Sequence, residues 1–503
     1  MKFVIIAAYI VLMLVLGWVS MKKTKTIGDF VLGGRTMGPW ISSFSYGTTY
    51  FSAVVFIGYA GKLGWGFGLS TLWIVVGNSV IGCFLAWKLL AKPIHNMTVR
   101  LKAITMPEFL NQRYDSKTLK LLAAIIIFVF LVPYTSSVYS GLSYLFESVF
   151  GIPYMLGLII IAGVTAVYLV MGGYKAVALA DLFQGIIMIF GVLFLIFFVV
   201  KSPQVDGFAN IIPKLTAIEP KLASPVGPPG IIQLVALVTL TSLGTWGMPQ
   251  MTQKFYAIKD DRVVKSATRV TFILSLWIAF GAYFTGSLSH LFFNNLDAVG
   301  GNVDRIIPTM LQQTMPAAML ALILVLVLAA SMSTLSSLVL VSSSAVAVDF
   351  MQVVKPDLKK STQVVLMRVL CVVFVALSFF IAMDPPSVIV NLMAFSWGAV
   401  SGSFIAPMVW GLFSKKTTKA GAFAGMLSGL SIAVIGTALV PSQTAVMSCC
   451  AMVVPLLVVP VVSGFTKPFT QEHIDKVFGE DTASLDDKKQ MRTPDESIAV
   501  SQG

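Results

Sequence analysis

Long, nearly uncharged apolar runs recur along the chain, and they limit what it can fold into more than any other feature. About 20 consecutive apolar residues span a bilayer as a helix, and within hydrocarbon each backbone polar group must be satisfied inside its own segment. Cutting at charged, Gly-rich or Pro-rich loops leaves thirteen runs, beginning near residues 3, 38, 68, 119, 152, 176, 230, 268, 317, 362, 386, 419 and 444. The sequence predicts an all-α polytopic membrane protein of about 13 transmembrane helices, with the lipid bilayer as its first partner. With only 11% charged residues among 503, little is left over for a soluble domain.

A net charge of +13 would point to nucleic acid in a soluble protein. Here the basic residues fall in alternate short loops, which describes topology, so no nucleic-acid partner is expected. One set of loops receives Lys22, Lys23, Lys25 and Arg35; then Lys92, Arg100, Lys102, Arg113 and Lys117; then Lys254, Lys259, Arg262 and Lys265; then Lys355, Lys359 and Lys360; then Lys415, Lys416 and Lys419. The other set holds only Lys62, Lys201, Lys214, Lys221 and Arg305. This asymmetry predicts a plasma (inner) membrane protein with its N-terminus outside and its C-terminus in the cytoplasm. The first run lacks a small-x-small cleavage site, so it is expected to stay as a helix rather than leave as a signal peptide. The polar segment after Phe465 reads as a mostly disordered cytoplasmic tail.

Two runs look interrupted. "SSFSYGTTYFSAVVFIG" in the second and "LTSLGTWGMPQMTQKF" in the seventh put Gly, hydroxyls and aromatics at membrane depth, and the seventh adds Pro249 and Gln250. Unwound backbone there is tolerated only where it is buried or lines a cavity. The two lie five runs apart, so runs two to six and seven to eleven pair as halves of opposite orientation, the pattern of an inverted-repeat secondary transporter. The expected division is residues 1–37 for the first helix and loop, 38–200 and 201–413 for the repeats, 414–465 for two peripheral helices and 466–503 for the tail.

Asp181 is the one acidic residue placed well inside a run, and an ionised carboxylate there needs a cation or a donor unless it snorkels towards Lys175. The ninth run carries "AASMSTLSS". Its hydroxyls could simply bond back to the preceding turn. Yet Ala330, Ser333 and Thr334 stand at i, i+3 and i+4, and Ser333, Ser336 and Ser337 repeat that spacing, so two oxygen clusters share one helix face. Hard cations take such ligands, which makes two adjacent cation sites a concrete expectation.

These residues carry a resemblance to the sodium solute symporter family. "DFVLGGRTMGPW", "VMGGYKAVALADLFQGIIM", "ASMSTLSS" and "GLFSKKTTKAGAFAG" follow in order, and the similarity runs over roughly residues 1 to 465. It implies a five-plus-five inverted-repeat core working by alternating access, with Na+ as coupling ion, one or two per cycle. By position it implies a first sodium at Thr48, Phe51, Ala330, Ser333 and Thr334, and a second at Asp181, Ser333, Ser336 and Ser337. Tyr134 and Trp246 match positions that line the family's solute cavity; Tyr50, Ser52 and Gln250 join them as candidate solute contacts.

For the solute, the resemblance points to a small carboxylate-bearing molecule. Proline carriers have an aspartate and a Ser-Gly in the broken second run, where this chain reads "TTYFSA", a pattern closer to pantothenate and monocarboxylate carriers. A sodium/proline symporter is the alternative within the class. Outside it stand a proton-coupled carrier, since an intramembrane Asp can carry a proton, and a channel, which needs a repeated selectivity filter. An enzyme is not expected, because no acid/base pair, nucleotide loop or Cys/His metal spacing stands out, and no organic cofactor is implied. A monomer is the expected state.

Overall fold

The computed structural model describes residues 2–21 and 27–479. Lys22, Lys23 and Lys25 and the tail from residue 480 onward lie outside the described residues, as does the side chain of Lys360. Among the described residues the fold is helical, with one isolated parallel bridge between Met37 and Ile258. Helical segments occur at all thirteen expected places. Among the described residues, nine helical runs are long and apolar enough on their own to cross a bilayer, and the bent pair Ile231–Gly247 and Pro249–Tyr256 makes a tenth.

Both interruptions have local causes. In the seventh segment, Met248 precedes proline and is pushed out of the helical region to φ −78° and ψ 123°, while Pro249 starts a new helix at 45° to the first. The second segment breaks without proline: Pro39–Tyr50 ends at Phe51, which is extended at φ −109° and ψ 125°. Helix resumes after Ser52, whose Oγ accepts the Val54 N–H at 3.2 Å and whose carbonyl accepts the N–H groups of Val55 and Phe56. A third discontinuity separates the fifth and sixth segments within Tyr154–Val200, where Gly173 takes φ 61° with Phe30 packed against it.

Burial separates the core from the rim. Of the most apolar 18-residue stretch in each, 83% is buried in Ala317–Val354 and 89% in Ile389–Phe413, against 28% in each of Thr362–Met383, Lys419–Leu439 and Pro441–Gly464, which present apolar faces outward. The ninth segment packs against Pro39–Tyr50, Lys117–Phe150 and Tyr154–Val200, so its serines stand at the centre of the molecule.

Three expectations change on the basic side. Arg113 is no free loop charge: it is buried, its guanidinium donates to the carbonyls of Gly411 and Ser414, and it lies over the rings of Tyr114, Phe469 and Phe478. The polar tail does not begin disordered. Gln471–Phe478 is a helix that buries Val477, receives the Arg100 guanidinium on the Val477 carbonyl and pairs the His473 ring with the Arg113 carbonyl. The third change concerns Lys254 and belongs to the site.

Candidate functional site

The break in the second segment leaves backbone groups without helical partners, and the ninth segment supplies them. Ser331 Oγ accepts the Ala53 N–H at 2.9 Å, and Thr334 Oγ1 lies 3.0 Å from the Thr49 carbonyl, to which it donates. Two of the five hydroxyls in "AASMSTLSS" therefore satisfy an interrupted backbone. Ser331 was outside the expected ligand set; its position one residue after Ala330, facing a predicted break, was the only signal available.

Around these bonds lie the residues expected for a first cation. Ser333 Oγ donates to Thr48 Oγ1 at 2.9 Å, Thr48 Oγ1 bonds to the Phe44 carbonyl at 2.8 Å, and Thr334 Oγ1 reaches the Ala330 carbonyl at 3.2 Å. Phe51, extended at the break, directs its carbonyl away from the helical ladder. Neutral hydroxyl and carbonyl oxygens from two elements thus gather in one fully buried place, the donor set that a sodium ion takes.

The acidic cluster is arranged differently. Asp181 is fully buried, accepts from Ser333 Oγ at 2.6 Å through Oδ1, and accepts from Ser45 Oγ through Oδ2. Its counter-charge is Lys254, placed by sequence in a loop but here only 1% exposed on the short helix Pro249–Tyr256. The ammonium lies 3.6 Å from Asp181 Oδ2, donates to Ser337 Oγ at 3.0 Å and sits 5.2 Å from the centre of the Tyr174 ring. Ser337 Oγ also lies 3.1 Å from Thr49 Oγ1. Ser336 stays apart: it bonds back to the carbonyls of Met332 and Ser333 on its own helix. Of the residues expected around a second sodium, Asp181 and Ser337 therefore face an ammonium, Ser333 bonds to the far oxygen of the carboxylate, and Ser336 stays on its own helix. Lys254 escaped the sequence reading because Lys259 and Arg262 follow it closely; its shared helical face with Gln250 and Gln253 was the available sign.

The expected solute contacts divide into two places. Tyr50 and Tyr134 meet around Trp397, which the sequence reading missed, and Ser52 lies beside Tyr134. Tyr50 is stacked on Phe51 at 4.6 Å and on Trp397 at 6.2 Å, and Tyr134 approaches Trp397 edge-on at 5.9 Å. The Tyr50 hydroxyl donates to the Thr241 carbonyl at 2.6 Å, across to the seventh segment. Trp246 turns elsewhere, donating its indole N–H to the Ile81 carbonyl. Gln250 is buried on Pro249–Tyr256, and its amide oxygen has no partner among the described residues.

The model of the sodium:solute symporter family matches residues 30–429. The osmoregulated proline transporter OpuE of Bacillus subtilis (strain 168) is 30% identical over 431 residues, covering 85% of this chain and 87% of that protein. A sodium/proline symporter of Staphylococcus aureus (strain bovine RF122 / ET3-1) is 29% identical over 444 residues, covering 86% and 85%. Among solved structures, a Na+-coupled sialic acid symporter in a substrate-bound outward-open state superposes with a TM-score of 0.77 at 17% identity, covering 93% of this chain and 98% of that one. Mhp1, a nucleobase-cation-symport-1 family transporter, in a closed conformation gives 0.51 at 15% identity, covering 89% and 97%. These two likenesses bear on the fold.

Proposed function

The chain belongs to the sodium:solute symporter family, and from that premise we propose that it is a sodium-coupled symporter importing a small carboxylate-bearing solute by alternating access. The observation that carries this reading is the buried oxygen cluster of Thr48, Ser333, Thr334 and the Ala330 carbonyl, set against the break at Phe51. A cation bound there joins the second segment to the ninth, stabilises the arrangement in which the break is ordered, and so links ion occupancy to the shape of the adjoining solute cavity. The carrier works in the plasma membrane as a monomer, N-terminus outside and C-terminus inside.

Proline is the first solute to test, because two relatives that match most of the chain are named as proline transporters. A zwitterion moving with one sodium carries one net charge, and at about 100 mV that is worth about 2.3 kcal/mol, or about fortyfold accumulation. One observation favours a solute without an amine, such as a monocarboxylate or pantothenate. Tyr50 stands where proline carriers have an aspartate, and its hydroxyl is already bonded to the Thr241 carbonyl, so this position has no counter-charge for an imino nitrogen.

Uptake into proteoliposomes of radiolabelled proline, pantothenate, short monocarboxylates and sugars, with and without an inward sodium gradient, tests the reading. Sodium-stimulated accumulation of one carboxylate-bearing solute, weakened by Thr334→Ala, is expected. Accumulation driven by a pH gradient without sodium would overturn the coupling ion, and dissipative flux that never exceeds equilibrium would indicate a channel.

A further inference from the structure

A carboxylate in the middle of a membrane protein needs a positive partner, and in this chain the partner is covalently attached. The Lys254 ammonium reaches Asp181 Oδ2 at 3.6 Å and Ser337 Oγ at 3.0 Å, with the Tyr174 ring as a third wall. Asp181 and Lys254 are both fully enclosed, and Ser45 and Ser333 complete the carboxylate's hydrogen bonding. An anionic oxygen, a hydroxyl and an aromatic face are the surroundings of a bound cation. Lys175, the other basic residue near this carboxylate in sequence, has no bond to it among those described, so the negative charge is matched once.

We propose that Lys254 is a tethered cation that fills the second cation site of this carrier, and thereby fixes its coupling at one sodium per solute. This inference rests on the sodium-symporter reading above. A sodium ion added beside Asp181 Oδ2 and Ser337 would stand about 4 Å from the ammonium; repulsion at that distance in a protein interior weakens binding by about three orders of magnitude. The tethered charge is present at every sodium concentration and needs no ion to be captured. Removing it turns the same oxygens into a site with one full negative charge, which a sodium ion can satisfy.

Equilibrium binding of radioactive sodium to purified protein separates the alternatives by counting. The wild type should bind one sodium per chain, Lys254→Met two, and Lys254→Arg, which keeps a fixed positive charge, one. Asp181→Asn should leave the count at one, whereas in a carrier with a true second sodium at this carboxylate it would drop from two to one. A wild-type count of two, or a Lys254→Met count equal to wild type, would overturn the proposal. Asp181→Asn keeps it open to refutation even if Lys254→Met does not fold. A wild type that binds no sodium would instead overturn the symporter reading; Lys254→Met gaining one site over it would still support the tethered cation.

Discussion

Replacing Ser331 by alanine removes a single oxygen from a fully buried position, yet the structure assigns it a large effect. That oxygen is the acceptor for the Ala53 N–H at 2.9 Å, the first donor past the break in the second segment. A buried N–H left without a partner costs about 1–3 kcal/mol. The ordered break carries Thr48 and the extended Phe51, so the penalty falls on the arrangement that binds the cation. If all of it is felt there, the sodium concentration for half-maximal uptake rises by about 5- to 150-fold. Ser336→Ala is the matched control, five positions on in the same run. Its hydroxyl only bonds back to its own helix, so its loss should shift half-saturation less than about threefold, the reach of about 0.5 kcal/mol. Sodium titrations of proteoliposome uptake for the two variants, with thermal unfolding in parallel, provide the comparison. Equal shifts, or no shift in Ser331→Ala, would refute the view that this serine holds the break in place.

Lys120 is buried between Glu108, Asp349 at 3.6 Å and the Gln352 amide oxygen, and Lys120→Met should destabilise the protein by about 3–5 kcal/mol, read as reduced yield and a lower unfolding temperature in detergent. Gly286 faces Ala60 so closely that an added Cβ would lie 2.0 Å from the Ala60 carbonyl oxygen; Gly286→Ala should cost about 3 kcal/mol, whereas Gly163→Ala, with open space around it, should be close to neutral in the same unfolding assay. Outside the membrane-spanning segments, burial pushes the Asp304 carboxyl from 3.8 up to about 6, against the lowering effects of the Ile389 N–H bond and Lys62. A raised folded pKa favours the protonated carboxyl in the folded state, so this stability is complete below about pH 4 and is lost as pH rises through about 6. Asp304→Asn should flatten that decline, and an unchanged difference in unfolding temperature between wild type and variant from pH 4 to 7 would count against it.

Much of the architecture could be read in advance because bilayer thickness imposes a length on each apolar run, and proline imposes a break at Met248 whatever surrounds it. The serines of the ninth segment were legible as a pattern, since i, i+3 and i+4 share a helix face in any helix. Their individual roles were not. Ser331 caps a backbone N–H from another segment, Ser333 bridges Thr48 and Asp181, Ser336 bonds to its own helix and Ser337 meets a lysine, although all four belong to one short run. Trp397 carried no mark in sequence, because an aromatic residue in an apolar run reads as lipid-facing or core until its neighbours are known. The helix Gln471–Phe478 was hidden for the opposite reason: its polar composition resembles a solvated tail until Arg113, Phe469 and Arg100 are placed beside it.

By itself the sequence determined that this chain crosses a membrane many times, that its second and seventh segments interrupt their helices, and that hydroxyls and one carboxylate lie at membrane depth. Those properties follow from hydrocarbon solvation and backbone sterics, which act on neighbours along the chain. Only the tertiary structure decided which charge faces Asp181. Lys254 is separated from it by 73 residues and by the break at Met248, and the choice between a sodium ion and that ammonium depends on how the seventh segment packs against the sixth and ninth. Electrostatics in a low-dielectric interior is governed by distances of a few ångströms, and such distances between segments are set by packing.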